Sequence, residues 1–210
     1  MVVMRFVPKF TLLLSILVLI CSSEVQAQNI DIRILRDVNL NRNQSLDGFM
    51  TGLTNSVYPM SGIVPIFELV AGYKKRDRAM VKYGWRAVEG LGVNALLTFG
   101  MKYAINRPRP YNTYPDIQNY QNDKDPSFPS GHTSFAFCTA TNISRFYPRW
   151  YVVVPAYTWA AAVGYSRMDL GMHYPSDVLV GAIVGTGSAW LAVLGNRYLQ
   201  NRKYKRDFIQ

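Results

Sequence analysis

Apolar residues gather in blocks along this chain, and the blocks follow helical rather than alternating spacing, with glycine and proline marking the breaks. They run at about 59–73, 87–101, 133–143, 150–166 and 178–195. Only the last, "VLVGAIVGTGSAWLAVLG", reaches 18 residues without a charge; Glu68 and Glu89 interrupt or border earlier blocks. The pattern predicts an all-α fold. Hydropathy alone leaves open whether the blocks are short membrane spans or core helices of a soluble bundle. No repeat, low-complexity tract or long linker divides the chain after residue 28, so residues 28–210 are expected to form a single domain.

The first 27 residues read separately. Arg5 and Lys9 precede the apolar run "FTLLLSILVLI", and Val25 and Ala27 carry the small-residue spacing of a signal-peptidase site. The reading is an export signal cleaved after Ala27, with an uncleaved first span as the alternative; both place residue 28 outside the cytoplasm. Lipoprotein processing at Cys21 is disfavoured, because Ile20 stands where a small residue is expected. Removal of the leader leaves Cys138 as the sole cysteine, so no intrachain disulfide is available.

Loop charge separates the two readings of the apolar blocks. Residues 1–9 carry two basic groups and no acidic ones, whereas 28–55 balance three against three. The segment "KKRDRAMVKYGWR" has six basic against one acidic, and 106–131 balance again at three against three. Arg145 and Arg149 give plus two, 166–177 give minus one, and the tail from 196 has five basic against one acidic. This alternation follows positive-inside sorting, with 28–55, 106–131 and 166–177 outside. Five spans after the leader are expected, or six if it stays attached.

Composition agrees: 49% of residues are hydrophobic and 17% charged, and there are fourteen tyrosines and four tryptophans. The net charge of +10 does not point to nucleic acid, because the basic residues lie in separate short loops rather than one interleaved patch.

The candidate chemistry falls in the outside loops and their flanks. Lys102 and Arg109 lie seven apart, which on a helix is ~10 Å along one face, and Pro108 and Pro110 are expected to curl Arg109 back towards the lysine. Taken alone, such a pair also reads as headgroup anchors. In "SFPSGHTSF", Ser130 is a helix cap, and the amides of Gly131 and His132 form an end suited to an anion, with His132 beside it. The plain alternative is a capped helix with a surface histidine. In "SRMDLGMHYPSD", Arg167 offers a planar fork for phosphate oxygens and Pro175 predicts a helix start. Asp177, four residues beyond His173, is in reach of its Nδ1–H and would leave Nε2 as nucleophile. The polar stretch 111–126 is expected to form a lid or rim; Tyr111, Tyr114 and Tyr120 receive no role.

Together, Lys102-x6-Arg109-Pro110, Pro129-Ser130-Gly131-His132 and Ser166-Arg167-x5-His173-x3-Asp177 resemble the tripartite signature of the type 2 phosphatidic acid phosphatase (PAP2) superfamily. The resemblance spans residues 102–177 by motif. It implies a helical bundle of the PAP2/haloperoxidase type. It also implies a phosphatase in which Lys102, Arg109, Ser130, the Gly131 amide and Arg167 hold phosphate. His173 attacks phosphorus to give a phosphohistidine, Asp177 steadies the imidazolium and His132 moves the leaving-group proton. No metal or cofactor is expected.

The favoured substrate is a phosphorylated lipid: a lipid A phosphate, undecaprenyl diphosphate or a phosphatidyl-type phosphate. It would be met at the periplasmic face of a bacterial inner membrane. A soluble periplasmic acid phosphatase is the alternative and a vanadium haloperoxidase a remote one. The oligomeric state is left open.

Overall fold

The computed structural model describes residues 30–207, and its helix boundaries fall where the sequence supplies capping groups. Helix α1 covers 30–40, and a 3₁₀ turn at Gln44–Leu46 leads into α2 (Asp47–Asn55). The chain continues through α3 (Val57–Lys75), α4 (Arg78–Ile105), the short α5 (Pro110–Thr113), α6 (Gly131–Phe146), α7 (Trp150–Asp169) and α8 (Pro175–Asp207). No strand occurs among the described residues. The leader expected over 1–27, with its cleavage position and Cys21, lies outside them.

Helix α4 begins at Asp77, whose carboxylate accepts from the Ala79 and Met80 amides, and ends at Asn106 in the left-handed conformation (φ 48°). The helix therefore stops short of the two prolines at which the chain was expected to bend. Lys102 rides in the last turn of α4, while Arg109 is the residue before α5. Helix α6 begins at Ser130 as expected, with the Ser130 side chain accepting from the Thr133 amide. Pro175 opens α8, also as expected.

Helix α6 is central, packed on α3, α4, α7 and α8. Its buried positions are small or polar: Thr133, Ser134, Ala136, Cys138, Thr139, Ala140, Thr141 and Asn142. Small residues let neighbouring backbones approach closely. A Cβ on Gly181 would stand 2.7 Å from the Ser130 carbonyl oxygen, and one on Gly185 only 2.1 Å from that of Ser134. Helix α8 therefore lies on α6 backbone to backbone at these two positions. Hydroxyls and amides join the other helices to α6. Ser61 Oγ meets Thr139 Oγ1 at 2.7 Å, and Thr98 Oγ1 meets Ser134 Oγ at 3.0 Å. Asn94 Nδ2 donates to Ser134 Oγ at 3.3 Å.

The outer faces carry the large apolar residues. Ile63, Ile66 and Phe67 on α3, Leu96 on α4, Trp150 and Val154 on α7, and Leu179, Ile183 and Trp190 on α8 are all exposed. Small and polar inside with large and apolar outside reverses the usual order of a water-soluble core.

By length and composition, the described residues contain one helix long and apolar enough to cross a membrane, Pro175–Asn196, with mean hydropathy 1.9. The other long helices lose mean hydropathy to the polar residues on their inner faces, such as Glu68, Asn94 and Thr98. The expected count of five spans is thus not reproduced by this measure.

Candidate active site

One end of the bundle collects the functional side chains. The C-terminal turns of α4 and α7 deliver Lys102 and Arg167. The N-terminal turns of α6 and α8 bring His132 and Asp177, and the α7–α8 connection carries His173. That connection turns at Gly171, which has φ 68° and whose Cβ would lie 2.5 Å from the Gln118 carbonyl oxygen, so only glycine fits.

A cavity of 280 Å³ opens among Tyr58, Phe99, Lys102, Arg109, Gly131, His132 and His173, with Asp123 and Asp125 of the 111–126 stretch also lining it. A Cβ on Gly131 would face Lys102 Cε at 3.9 Å and Tyr58 Oη at 4.0 Å, so the start of α6 borders open space. The first amides of a helix have no carbonyl partner within it, and the helix dipole adds partial positive charge there.

Lys102, Arg109 and Arg167 are all buried. Lys102 Nζ lies 2.8 Å from Asp125 Oδ2 and donates to the Pro126 carbonyl. Arg109 donates from Nε to the Asp125 carbonyl at 2.9 Å, from Nη2 to Asp125 Oδ1 at 2.6 Å and from Nη1 to the Met172 carbonyl at 3.1 Å. Arg167 Nη1 donates to Thr54 Oγ1 at 3.0 Å, while its Nε is buried with no hydrogen-bond partner. A buried guanidinium with an orphaned N–H suits an incoming anion. Burial, with Arg109 nearby, pushes the Arg167 pKa down to about 10, which still leaves it charged at neutral pH.

His173 is buried between these cations and Asp177. Arg109 Nη1 stands 3.4 Å from His173 Nε2. A guanidinium has only donors, so this contact makes Nε2 the acceptor and assigns the ring proton to Nδ1. Burial, followed by the charges of Arg109, Arg167 and Lys102, holds His173 well below the usual imidazole range, so it rests neutral with its Nε2 lone pair turned towards Arg109. His132 is likewise pushed down, by burial first and then by Arg167 and Arg109. The edge of its ring meets Tyr58, with centroids 4.9 Å apart.

The Asp177 contact differs from expectation. Its Oδ2 lies 3.5 Å from His173 Nδ1, longer than a hydrogen bond. Ser127 Oγ stands between the two, 3.3 Å from Nδ1, and donates to Asp177 Oδ2 at 2.5 Å. Asp177 also accepts from the Tyr174 amide at 3.1 Å and from Arg107 Nη1 at 2.6 Å. Ser130, expected to bind phosphate, is wholly buried, and its Oγ accepts from Thr133 Oγ1 at 2.9 Å. This leaves its own O–H as the group it can offer an anion.

The structure thus brings Lys102, Arg109, Gly131, His132 and His173 to one cavity, with Arg167 linked to it through Asp123 at 3.5 Å. It also adds residues that the sequence reading passed over. Arg107 pairs with both Asp177 and Asp31, at 2.6 and 2.8 Å. The doubled Arg-Pro of "NRPRP" was the available signal for it. Ser127 stood inside a quoted motif, while Asp31, Asp123 and Asp125 had no local signal.

Among the described residues no cluster of histidine, cysteine and carboxylates is arranged to hold a metal ion.

A family model described as the PAP2 superfamily matches residues 83–201. The chain is 28% identical over 186 residues to an undecaprenyl-diphosphatase of Sulfolobus acidocaldarius, covering 87% of this chain and 85% of that relative. It is 33% identical over 133 residues to a lipid A 1-phosphatase of Porphyromonas gingivalis, covering 60% of this chain but only 27% of that longer protein.

Among solved structures, LpxE of Aquifex aeolicus is similar with a TM-score of 0.66 at 28% identity, over 78% of this chain and 94% of that one. The fold is also shared with a transmembrane PAP2 type phosphatidylglycerolphosphate phosphatase of Bacillus subtilis (TM-score 0.67, 24% identity, 89% of this chain and 96% of that one). The motifs read from the sequence, the shared cavity and the match over more than half of its length agree: this chain belongs to the PAP2 superfamily and is a phosphatase.

Proposed function

We propose that the chain removes phosphate from a phosphorylated lipid at the outer face of a bacterial inner membrane, through a phosphohistidine. The observation that carries this reading is a cavity of 280 Å³ lined by buried Lys102 and Arg109 and a neutral histidine, with buried Arg167 tied to it through Asp123, at one end of a bundle whose outer faces are apolar. The cavity suits a phosphate group rather than a whole lipid, so the acyl or prenyl part would stay against the exposed apolar faces. The outside placement of this end rests on the loop charges.

His173 Nε2 directs its lone pair at phosphorus, forming an N–P bond as the P–O bond to the lipid breaks. Arg109, Lys102, Arg167, the Ser130 hydroxyl and the Gly131 amide hold the non-bridging oxygens and offset charge in the transition state. Asp177, through Ser127, steadies the imidazolium that forms. The bound phosphate offsets the cations that hold His132 neutral, so His132 takes up a proton as substrate binds, gives it to the departing oxygen and then takes one from water, whose oxygen attacks phosphorus. That step breaks the N–P bond, releases phosphate and restores neutral His173.

The names of relatives direct the choice of lipid, with lipid A phosphates and undecaprenyl diphosphate ahead of phosphatidyl-type phosphates. The test is phosphate release by purified protein in detergent micelles, comparing these lipids with a water-soluble phosphomonoester. A lipid should lead in kcat/KM. A soluble ester equal to or above every lipid would replace this reading with a general acid phosphatase. His173→Ala should abolish turnover and phosphoenzyme formation, and His132→Ala should slow turnover by about 10²- to 10⁴-fold. Trapping phosphoserine or phosphoaspartate would overturn the mechanism.

A further inference from the structure

The 121–126 segment carries two carboxylates into the cation cluster. Asp125 Oδ2 lies 2.8 Å from Lys102 Nζ, and Asp125 Oδ1 lies 2.6 Å from Arg109 Nη2. Asp123 Oδ2 bridges Arg109 Nη1 at 3.2 Å and Arg167 Nη2 at 3.5 Å. Three anionic oxygens therefore face three cations, the number that a phosphoryl group presents with its non-bridging oxygens. A phosphate dianion and these carboxylates repel one another at such range, so they cannot share the cradle at low cost. Burial pushes the Asp125 carboxyl up, but the Lys102 hydrogen bond and the charges of Arg109 and Lys102 outweigh it and hold the group at about 2, ionised throughout the working range.

The segment is anchored at both ends. On one side the Tyr120 amide donates to the Leu170 carbonyl at 3.1 Å, and buried Asn39 grips the Gln118 backbone through both side-chain atoms, at 2.8 and 2.9 Å. On the other side the Ser127 amide donates to the Arg107 carbonyl at 2.8 Å. Between these anchors, two side chains outside the cation cluster hold the backbone: Asn119 Nδ2 donates to the Gln121 carbonyl at 3.1 Å, and Tyr111 grips Asp123. Tyr111 Oη donates to the Asp123 carbonyl at 3.1 Å and accepts from its amide at 3.0 Å. The Asp125 side chain is 40% exposed, against 3% for the Lys102 and Arg109 side chains it caps.

We propose that Asp123 and Asp125 form an internal plug that occupies the phosphate cradle of the free enzyme. Tyr111 is its latch, and substrate enters only when the 121–126 segment swings out. The proposal rests on Lys102, Arg109 and Arg167 being the phosphate site. The competing role for the two aspartates is permanent positioning of the cations, in which case they remain in place when phosphate binds. The two roles predict opposite effects of removing charge.

The test uses orthovanadate, a phosphate mimic, as inhibitor of the purified full-length protein and of Asp125→Asn, Asp123→Asn and Tyr111→Phe. If the plugged state holds about 90% of the molecules, freeing the cradle lowers the apparent inhibition constant by roughly ten-fold. Asp125→Asn should approach that change, and Tyr111→Phe, which alters no charge and touches none of the three cations, should move in the same direction. Amide hydrogen exchange over 121–126 should quicken when orthovanadate binds.

Inhibition constants that stay level or rise in both Asp125→Asn and Tyr111→Phe would overturn the plug, as would slower exchange in the segment. Absence of inhibition in wild type and all variants would remove the phosphate-site assignment itself, and the plug with it.

Discussion

Substitution of Gly185 by alanine tests whether backbone contact between α6 and α8 sets the catalytic geometry. The new Cβ would stand 2.1 Å from the Ser134 carbonyl oxygen, 2.9 Å from its carbon and 3.0 Å from the Cys138 amide nitrogen. All three are backbone atoms of the central helix, so no side chain can rotate away. Ordinary contact begins near 3.4 Å, so the helices must part by roughly 1 Å. Overpacking of this kind costs about 1–3 kcal/mol, which lowers the melting temperature by roughly 2–12 °C in a protein of this size. The same shift separates Asp177 from Ser130, whose amide donates to the Asp177 carbonyl at 3.0 Å. A misplacement of ~1 Å costs about 10²-fold in rate. Gly187→Ala is the control: nothing lies within 4 Å of its Cβ, and alanine favours a helix by about 0.5–1 kcal/mol. Thermal unfolding and phosphate release should be measured on both variants in one detergent. A Gly185→Ala protein that matches Gly187→Ala in melting temperature and wild type in kcat/KM would refute the reasoning.

Two further expectations concern the surroundings of His173. Arg107→Gln removes a charged partner from buried Asp177, a loss of about 1.5–3 kcal/mol; steady-state kinetics should show kcat falling with KM nearly unchanged, and Arg107→Lys restoring part of it. Activity should persist in EDTA, because the positive charge is assigned to Lys102, Arg109 and Arg167; a strict need for added Mg²⁺ or Zn²⁺ would contradict that assignment.

What the sequence made legible was local. Ser130 and Pro175 announce the starts of α6 and α8 because capping depends on neighbours within one turn. Lys102, Arg109, Arg167 and the two histidines are legible because each falls in a short motif, and the three motifs together resemble the PAP2 signature. Arg107, Ser127 and Asp31 act across long separations, as in the Ser127–Asp177 contact between residues 50 apart, and no short-range period encodes such a meeting. The neutral sum of charges over 106–131 hides the plug. The balance over 106–131 counted Asp123 and Asp125 as background, whereas they cap Arg109 and Lys102. Hydropathy fell short for a related reason: the polar faces that α3 and α4 turn inwards dilute an average taken over the whole helix.

The contacts of Asp31 carry a consequence for how the enzyme comes into being. Asp31 lies at the beginning of α1, yet it accepts from the Ser176 amide at 2.8 Å, a residue 145 positions later, and from Arg107 at 2.8 Å. Ribosomes deliver α1 first and α8 last. Arg107 is shared between Asp31 and Asp177, so the support behind His173 closes only when the first of the described helices clasps the last. Until Asp177 has met Arg107 and Asp31 has met Ser176, His173 lacks the Ser127–Asp177 pair on its Nδ1 side.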